Sequence, residues 1–248
     1  MLRIVATLAL ALTLLVNVLA NILPINGLNT GEVSALYPNL FTPDGITFSI
    51  WSILYVLQIG FVIFTWTTKD DRINRLLQAF ILSCIFNTLW ILVWHYRHPG
   101  ISVLVMVSLL ATLTYIFIQI QDATFLSKKE YIWVVLPFTL YFAWICVATI
   151  ANVSAWLIFV SWEGWGIAPE IWTVIMMLVA ALLAFYISLQ FQTPAIVLVV
   201  IWALAGIYRR WNGSEFLIIT NTAIALSLIL SGIYIYSVRR MYKSKQVS

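Results

Sequence analysis

Apolar residues fill the chain in long runs that short polar segments interrupt. Eight runs stand out, at about 4–23, 46–66, 76–96, 101–120, 131–151, 171–190, 194–209 and 215–237. A bilayer crossing takes ~20 mostly apolar residues, and each run meets or approaches that length. The pattern predicts an all-α integral membrane protein of about eight transmembrane helices. The first run follows Arg3, and Val18-Leu19-Ala20 within it has the look of a cleavage site. It exceeds the roughly 7–15 apolar residues of a signal peptide, so it reads as an uncleaved first span. The stretch 131–161 is too long for one crossing. Asn152 and Ser154 predict a helix end there, followed by an interfacial segment whose Trp156, Trp162 and Trp165 sit at headgroup depth.

Between the first two runs lies the most informative local sequence. Residues 37–55 read YPNLFTPDGITFSIWSILY. Pro38 and Pro43 do not fit inside a regular helix, and Asp44-Gly45 reads as a turn or helix start. A stiffened loop therefore lies over the mouth of a helical bundle. Trp51 and Tyr55 lie beneath it, one turn apart. Such a segment suits a lidded site for a flat apolar ligand, and it also begins many ordinary membrane helices.

Basic residues orient the spans. With the N-terminus inside, the inner segments hold Arg3, Lys69, Arg72, Arg75, Lys128, Lys129, Arg239, Arg240, Lys243 and Lys245, which is ten of the thirteen. The outer segments hold only Arg97, Arg209 and Arg210. The positive-inside rule then places both termini in the cytoplasm, with an even number of spans. The expected location is the plasma (inner) membrane, multi-pass, with the lid loop outside. Arg209 and Arg210 are exceptions to the rule, and they follow the shortest run.

Composition agrees. Hydrophobic residues make up 63% of the chain, charged ones 9%, and the mean hydropathy is +1.01. Average soluble domains carry roughly 25% charged residues. The net charge of +4 follows from membrane orientation and points to the lipid bilayer as partner, with no nucleic acid. Cys84 and Cys146 fall in apolar runs without metal or redox spacing and read as small core residues.

The absences narrow the chemistry. All five lysines lie in loops or the tail, so a retinal Schiff base has no attachment point. The acidic residues lie in loops or at helix ends, whereas ion-coupled transporters carry ionisable groups near mid-membrane. No Gly-rich phosphate loop, HExxH pair or GxSxG elbow occurs. His95 and His98, three apart beside Arg97 and Pro99, read as an interfacial helix end, and a metal is not expected.

Neutral polar chemistry remains. Asn87 and Trp90 lie one turn apart in the third run, with Trp94 a turn further. Trp144, Ala148 and Asn152 repeat every four residues along the fifth. An amide in hydrocarbon must find a partner, so both stripes should face the bundle interior. Taken singly, each asparagine reads first as a helix clamp. Together with Trp51 and Tyr55 the indoles and amides suit a large, planar, apolar ligand.

These residues resemble the translocator protein family, the tryptophan-rich sensory proteins also called peripheral benzodiazepine receptors. The resemblance covers about residues 1–160. Pro38, Pro43, Trp51, Leu54 and Tyr55 match the family's first loop and second helix. Asn87 and Trp90 match its third, and Trp144, Ala148 and Asn152 its fifth. The chain departs at Leu40, where the family has a loop tryptophan, at Thr42, the first of a proline pair, and at Thr47, a phenylalanine. Pro137 also stands seven residues before Trp144 rather than four.

The resemblance implies two parts. Residues 1–160 form a five-helix bundle, and 161–248 add three transmembrane helices and a basic cytoplasmic tail. Three roles stay open for the added helices: a lipid-facing buttress, a replacement for a homodimer partner, or the second half of a site. It also implies a membrane ligand-binding protein, sensory or regulatory, for a hydrophobic planar ligand. Porphyrin or haem is the implied ligand, and no cofactor is required. Trp51 and Trp144 would contact the ligand, Asn87 and Trp90 would line the pocket with Tyr55 and Asn152, and Pro38 and Pro43 would shape the lid. Some members degrade porphyrins photochemically, so an enzyme is a further reading by resemblance alone. A facilitative transporter of a hydrophobic small molecule is the alternative.

Overall fold

The computed structural model describes residues 1–23, 25–122 and 127–247. Eight long helices form it: α1 Leu2–Ile22, α2 Ile50–Thr67, α3 Asp71–His95, α4 Pro99–Asp122, α5 Lys128–Phe159, α6 Pro169–Gln190, α7 Ala195–Trp211 and α8 Leu217–Val247. Seven are long and apolar enough to cross a membrane, α2 together with the 3-10 turn before it. The eighth, α7, has 17 residues, or about 26 Å at 1.5 Å per residue, a little short of the ~30 Å hydrocarbon core. Large apolar side chains point outward on many of them, as at Leu104, Leu182 and Leu228. Among the described residues no lysine, arginine or carboxylate is buried. An apolar exterior with charges at the ends is the surface a bilayer selects.

Local signals start and stop these helices. Asp70 caps α3 by accepting the Arg72 backbone N–H at 2.8 Å, and Ser127 with Glu130 forms a capping box at the start of α5. Arg72 bonds the Asp70 carboxylate and also reaches Glu130 at 3.2 Å, joining the start of α3 to the start of α5. Hydrogen bonding from Arg72 holds the Asp70 carboxyl below its usual range.

The first five helices close into a ring, α1–α2–α5–α4–α3 and back to α1. Asn87 of α3 accepts from Asn17 of α1 at 2.9 Å and donates to the Tyr141 hydroxyl of α5 at 2.9 Å. Three helices are thus tied by one buried amide. Nearer the end where α3 and α5 begin, Phe61, Phe80 and Phe138 meet edge to face at 4.7–5.9 Å. Gly60 of α2 leaves room for Trp133, whose ring would lie 2.1 Å from a Cβ at that position. Outside the ring, α7 packs on α5, while α6 and α8 pack on α7 and on each other.

Two expectations change. The helix through 131–151 does not end at Asn152 and Ser154 but runs on to Phe159. Ser154 donates back to the Ile150 carbonyl at 2.9 Å, a bond made within a continuing helix, and Asn152 pairs with Ser102 of α4 at 2.8 Å, away from its own backbone. The helix begins with a π-helical turn at Tyr131–Val135 just before Pro137. That looser turn accommodates a proline with no N–H to donate. The other change is one of setting: His95 ends its helix as expected, and its side chain is wholly buried there. Of the charges counted from sequence, the side chains of Asp122, Lys243 and Lys245 lie outside the described residues.

Replacing Asn87 with alanine strands Asn17 and Tyr141 in an apolar interior. A loss of about 1–3 kcal/mol is expected, read as a lower thermal unfolding midpoint in detergent. Adding Asn17→Ala should then cost less than it does alone. An unchanged midpoint in Asn87→Ala would show that the amide clamps nothing.

Candidate functional site

The loop between α1 and α2 is folded throughout most of its length. A short helix, Thr30–Ala35, opens with a capping box of Asn29 and Glu32. Asn39 Oδ1 accepts from the Phe41 and Thr42 backbone N–H groups and from the Thr42 hydroxyl, a tight turn between the two prolines. His95 holds the loop to α3. Its Nδ1 lies 3.2 Å from the Ile25 carbonyl and its Nε2 3.1 Å from the Thr30 hydroxyl, while Asn26 donates to the His95 carbonyl.

From the other side α7 grips residues 40–47. Trp202 Nε1 donates to the Thr47 carbonyl at 2.9 Å, Arg210 Nη1 to Thr42 at 2.8 Å and Trp211 Nε1 to Leu40 at 2.9 Å. The Asp44 backbone N–H donates to the Gly206 carbonyl at 3.2 Å, and Arg209 pairs with the Asp44 carboxylate at 3.2 Å. Positions 202, 206, 209 and 210 share one helix face. Arg209 and Arg210, the two exceptions in the charge pattern, are therefore both bonded to the loop. Leu40, Thr42 and Thr47, the positions that depart from the resembled motif, are the three whose carbonyls α7 holds. A glycine at 206 lets the backbones meet, for its Cβ would fall 2.0 Å from Thr47 Oγ1. That contact leaves no room for a phenylalanine at 47.

Two cavities lie under this loop, on different faces of α5. The inner one is about 50 Å³ and is lined by Pro43, Trp51, Trp90, Trp94, Trp144, Ala148 and Asn152 among others. Trp51 is its hub. Tyr55 and Trp90 stack on it at 5.6 and 6.2 Å, and Tyr141 and Trp144 meet it edge-on at 6.0 and 6.2 Å. Trp94 extends the stack beyond Trp90 at 6.1 Å. The indole N–H groups of Trp90 and Trp144 are buried and have no acceptor among the described residues. Of the residues expected to form the site, Trp51, Trp90, Trp144 and Asn152 come together here. Tyr55 and Asn87 do not line the cavity: Tyr55 backs Trp51, and Asn87 is occupied by Asn17 and Tyr141.

The outer cavity is far larger, about 680 Å³, and residues after 160, from α6, α7 and the connections beside them, line about half of it. Pro38 to Phe41 roof it, α5 contributes Thr149 to Ile158, and Trp162, Trp172, Met176, Arg210, Trp211 and Phe216 complete the wall. Trp162, expected in an interfacial belt, faces this space and touches Trp165 and Trp172 at 5.4 and 5.2 Å. Trp172 and Trp211 were not legible in the sequence as site residues, and Arg210 stood out only as an exception in the charge pattern. The misplaced Arg209-Arg210 pair was the signal that pointed to them.

Helices, apolar exterior and loop-roofed cavities define a multi-pass α-helical integral membrane protein. A family model described as TSPO-like protein matches residues 3–236, and the chain belongs to that family. The match extends over all of α6 and α7 and most of α8. No curated protein and no solved structure matches the chain.

Substituting Gly206 with alanine forces α7 away from Thr47 and Pro43. A destabilisation of about 1–3 kcal/mol is expected, with protease cleavage between Leu40 and Thr47 faster than in the unsubstituted protein. Equal cleavage rates would show that α7 does not hold the loop.

Proposed function

We propose that the protein is a membrane ligand-binding protein, sensory or regulatory, for a hydrophobic planar ligand such as a tetrapyrrole, seated in the outer cavity beneath the first loop. The volume of that cavity supports this reading above all. About 680 Å³ falls within the ~300–1,000 Å³ of ordinary ligand pockets, and indoles and aliphatic side chains line most of it. The inner cavity holds a few waters and no more. In this arrangement the Trp51 cluster forms the packed wall that supports the lid, and its two unpaired indole N–H groups mark a subsite that opens only if the bundle does. Family membership supports the class of protein; the ligand is read from the cavity and from the resemblance of residues 37–55, 87–90 and 144–152.

Protoporphyrin added to the purified protein should bind with a Soret shift, and affinity should fall about tenfold or more when Val153→Trp fills the outer cavity. Trp51→Phe and Trp144→Phe should change it less. The reverse order would move the ligand to the inner cluster, and no Soret shift in the unsubstituted protein would sink the reading. Carriage of the same porphyrin across proteoliposomes would turn the function into facilitative transport.

We also infer that the first loop faces outward and both termini face the cytoplasm of the plasma (inner) membrane. Support comes from the end that carries Arg3, Lys69, Arg72, Arg75, Lys128 and Lys129, opposite the two cavities. An impermeant maleimide on intact cells should label a cysteine at Asn212→Cys and spare one at Lys69→Cys. The opposite labelling would invert the topology.

A further inference from the structure

Three charged residues line the outer cavity: Arg210 from α7, and Glu163 and Glu170 from the α5–α6 connection and the start of α6. They are not equivalent. Glu163 is exposed to solvent, and Glu170 sits in the first turn of α6, where the helix's positive end offsets its charge. Arg210 is partly buried beside the loop. Among the described residues no carboxylate lies within ion-pair distance of it, whereas its neighbour Arg209 has Asp44. One Arg210 nitrogen reaches the Thr42 carbonyl, and the guanidinium carbon lies 5.0 Å from the centroid of the Trp211 ring. A guanidinium carries five N–H donors in a planar fork suited to carboxylate or phosphate. A cation against an apolar wall, without a counter-ion, is completed by an anion.

We propose that the outer cavity takes an amphipathic ligand whose anionic head, a carboxylate or a phosphate, docks on Arg210 while its apolar body lies along Leu157, Ile158 and Met176. This rests on the outer cavity being the ligand site. Glu163 and Glu170 repel the head from the α6 end, so the ligand enters in one orientation. Because the same guanidinium holds the Thr42 carbonyl, the head and the lid share one residue. Ligand binding is thereby coupled to the first loop.

Protoporphyrin and its dimethyl ester carry the same planar body with and without charge, and they separate the two claims. The full chain in phosphatidylcholine nanodiscs should bind the free acid about tenfold or more tightly than the ester. In Arg210→Gln the ratio of the two affinities should collapse to about one, and Arg210→Lys should keep part of it. The ratio is insensitive to a general loosening of the lid, which weakens both. Equal affinities in the unsubstituted protein would overturn the anionic head and leave the outer site standing. Binding of neither compound would overturn both. Adding phosphatidylglycerol to the nanodiscs identifies the source of the head. Competition with the free acid that Arg210→Gln abolishes points to a phosphate-headed lipid, and its absence points to a free carboxylate.

Discussion

Hydrocarbon offers no hydrogen bonds, and this constraint shapes the bundle more than any other. Each polar side chain carried into the core must meet another inside the protein. Asn17, Asn87 and Tyr141 satisfy one another across three helices, and Ser102 with Asn152 joins a fourth to the same set. Such bonds are individually modest in membranes, about 0.6–2 kcal/mol. Their weight lies in register: an asparagine that slides by one turn loses its partner. The ring of five helices follows from these pairings and from the Phe61–Phe80–Phe138 contact below them.

The same reasoning extends to the end that carries the first loop, whose carbonyls also need donors. There α7 supplies the donors, two indoles and a guanidinium, to Thr47, Leu40 and Thr42. A loop fastened along its backbone depends less on what its side chains are. This accounts for a lid that keeps two prolines yet replaces the resembled tryptophan, proline and phenylalanine. An indole is still present near Leu40, but Trp211 provides it from a different helix.

Helix α5 then separates two spaces of unequal size. On one face the aromatic cluster around Trp51 has closed to a void of about 50 Å³, and on the other α6 and α7 stand off far enough to leave about 680 Å³. The proposed ligand site is therefore a product of the last three helices as much as of the first five. Its roof, residues 38–41, continues directly into Thr42 and Pro43 over the inner cluster.

From the sequence alone, the all-α membrane class, the number of long helices, the loop with its prolines and the tryptophans lining the third and fifth helices were legible. Each is written in a local pattern, since apolar run length and four-residue spacing need no tertiary partner to be read. The helix through Asn152 was misread because a polar residue looks like a helix end until its partner Ser102, 50 positions away, is known. Spacing shows that Asn87 shares a helix face with Trp90 but not that its amide meets Asn17 and Tyr141. The large cavity and the role of Arg210 were beyond reach for the same reason. They depend on α7 lying against a loop some 160 residues earlier, and that distance in sequence is closed only by the packing of the bundle.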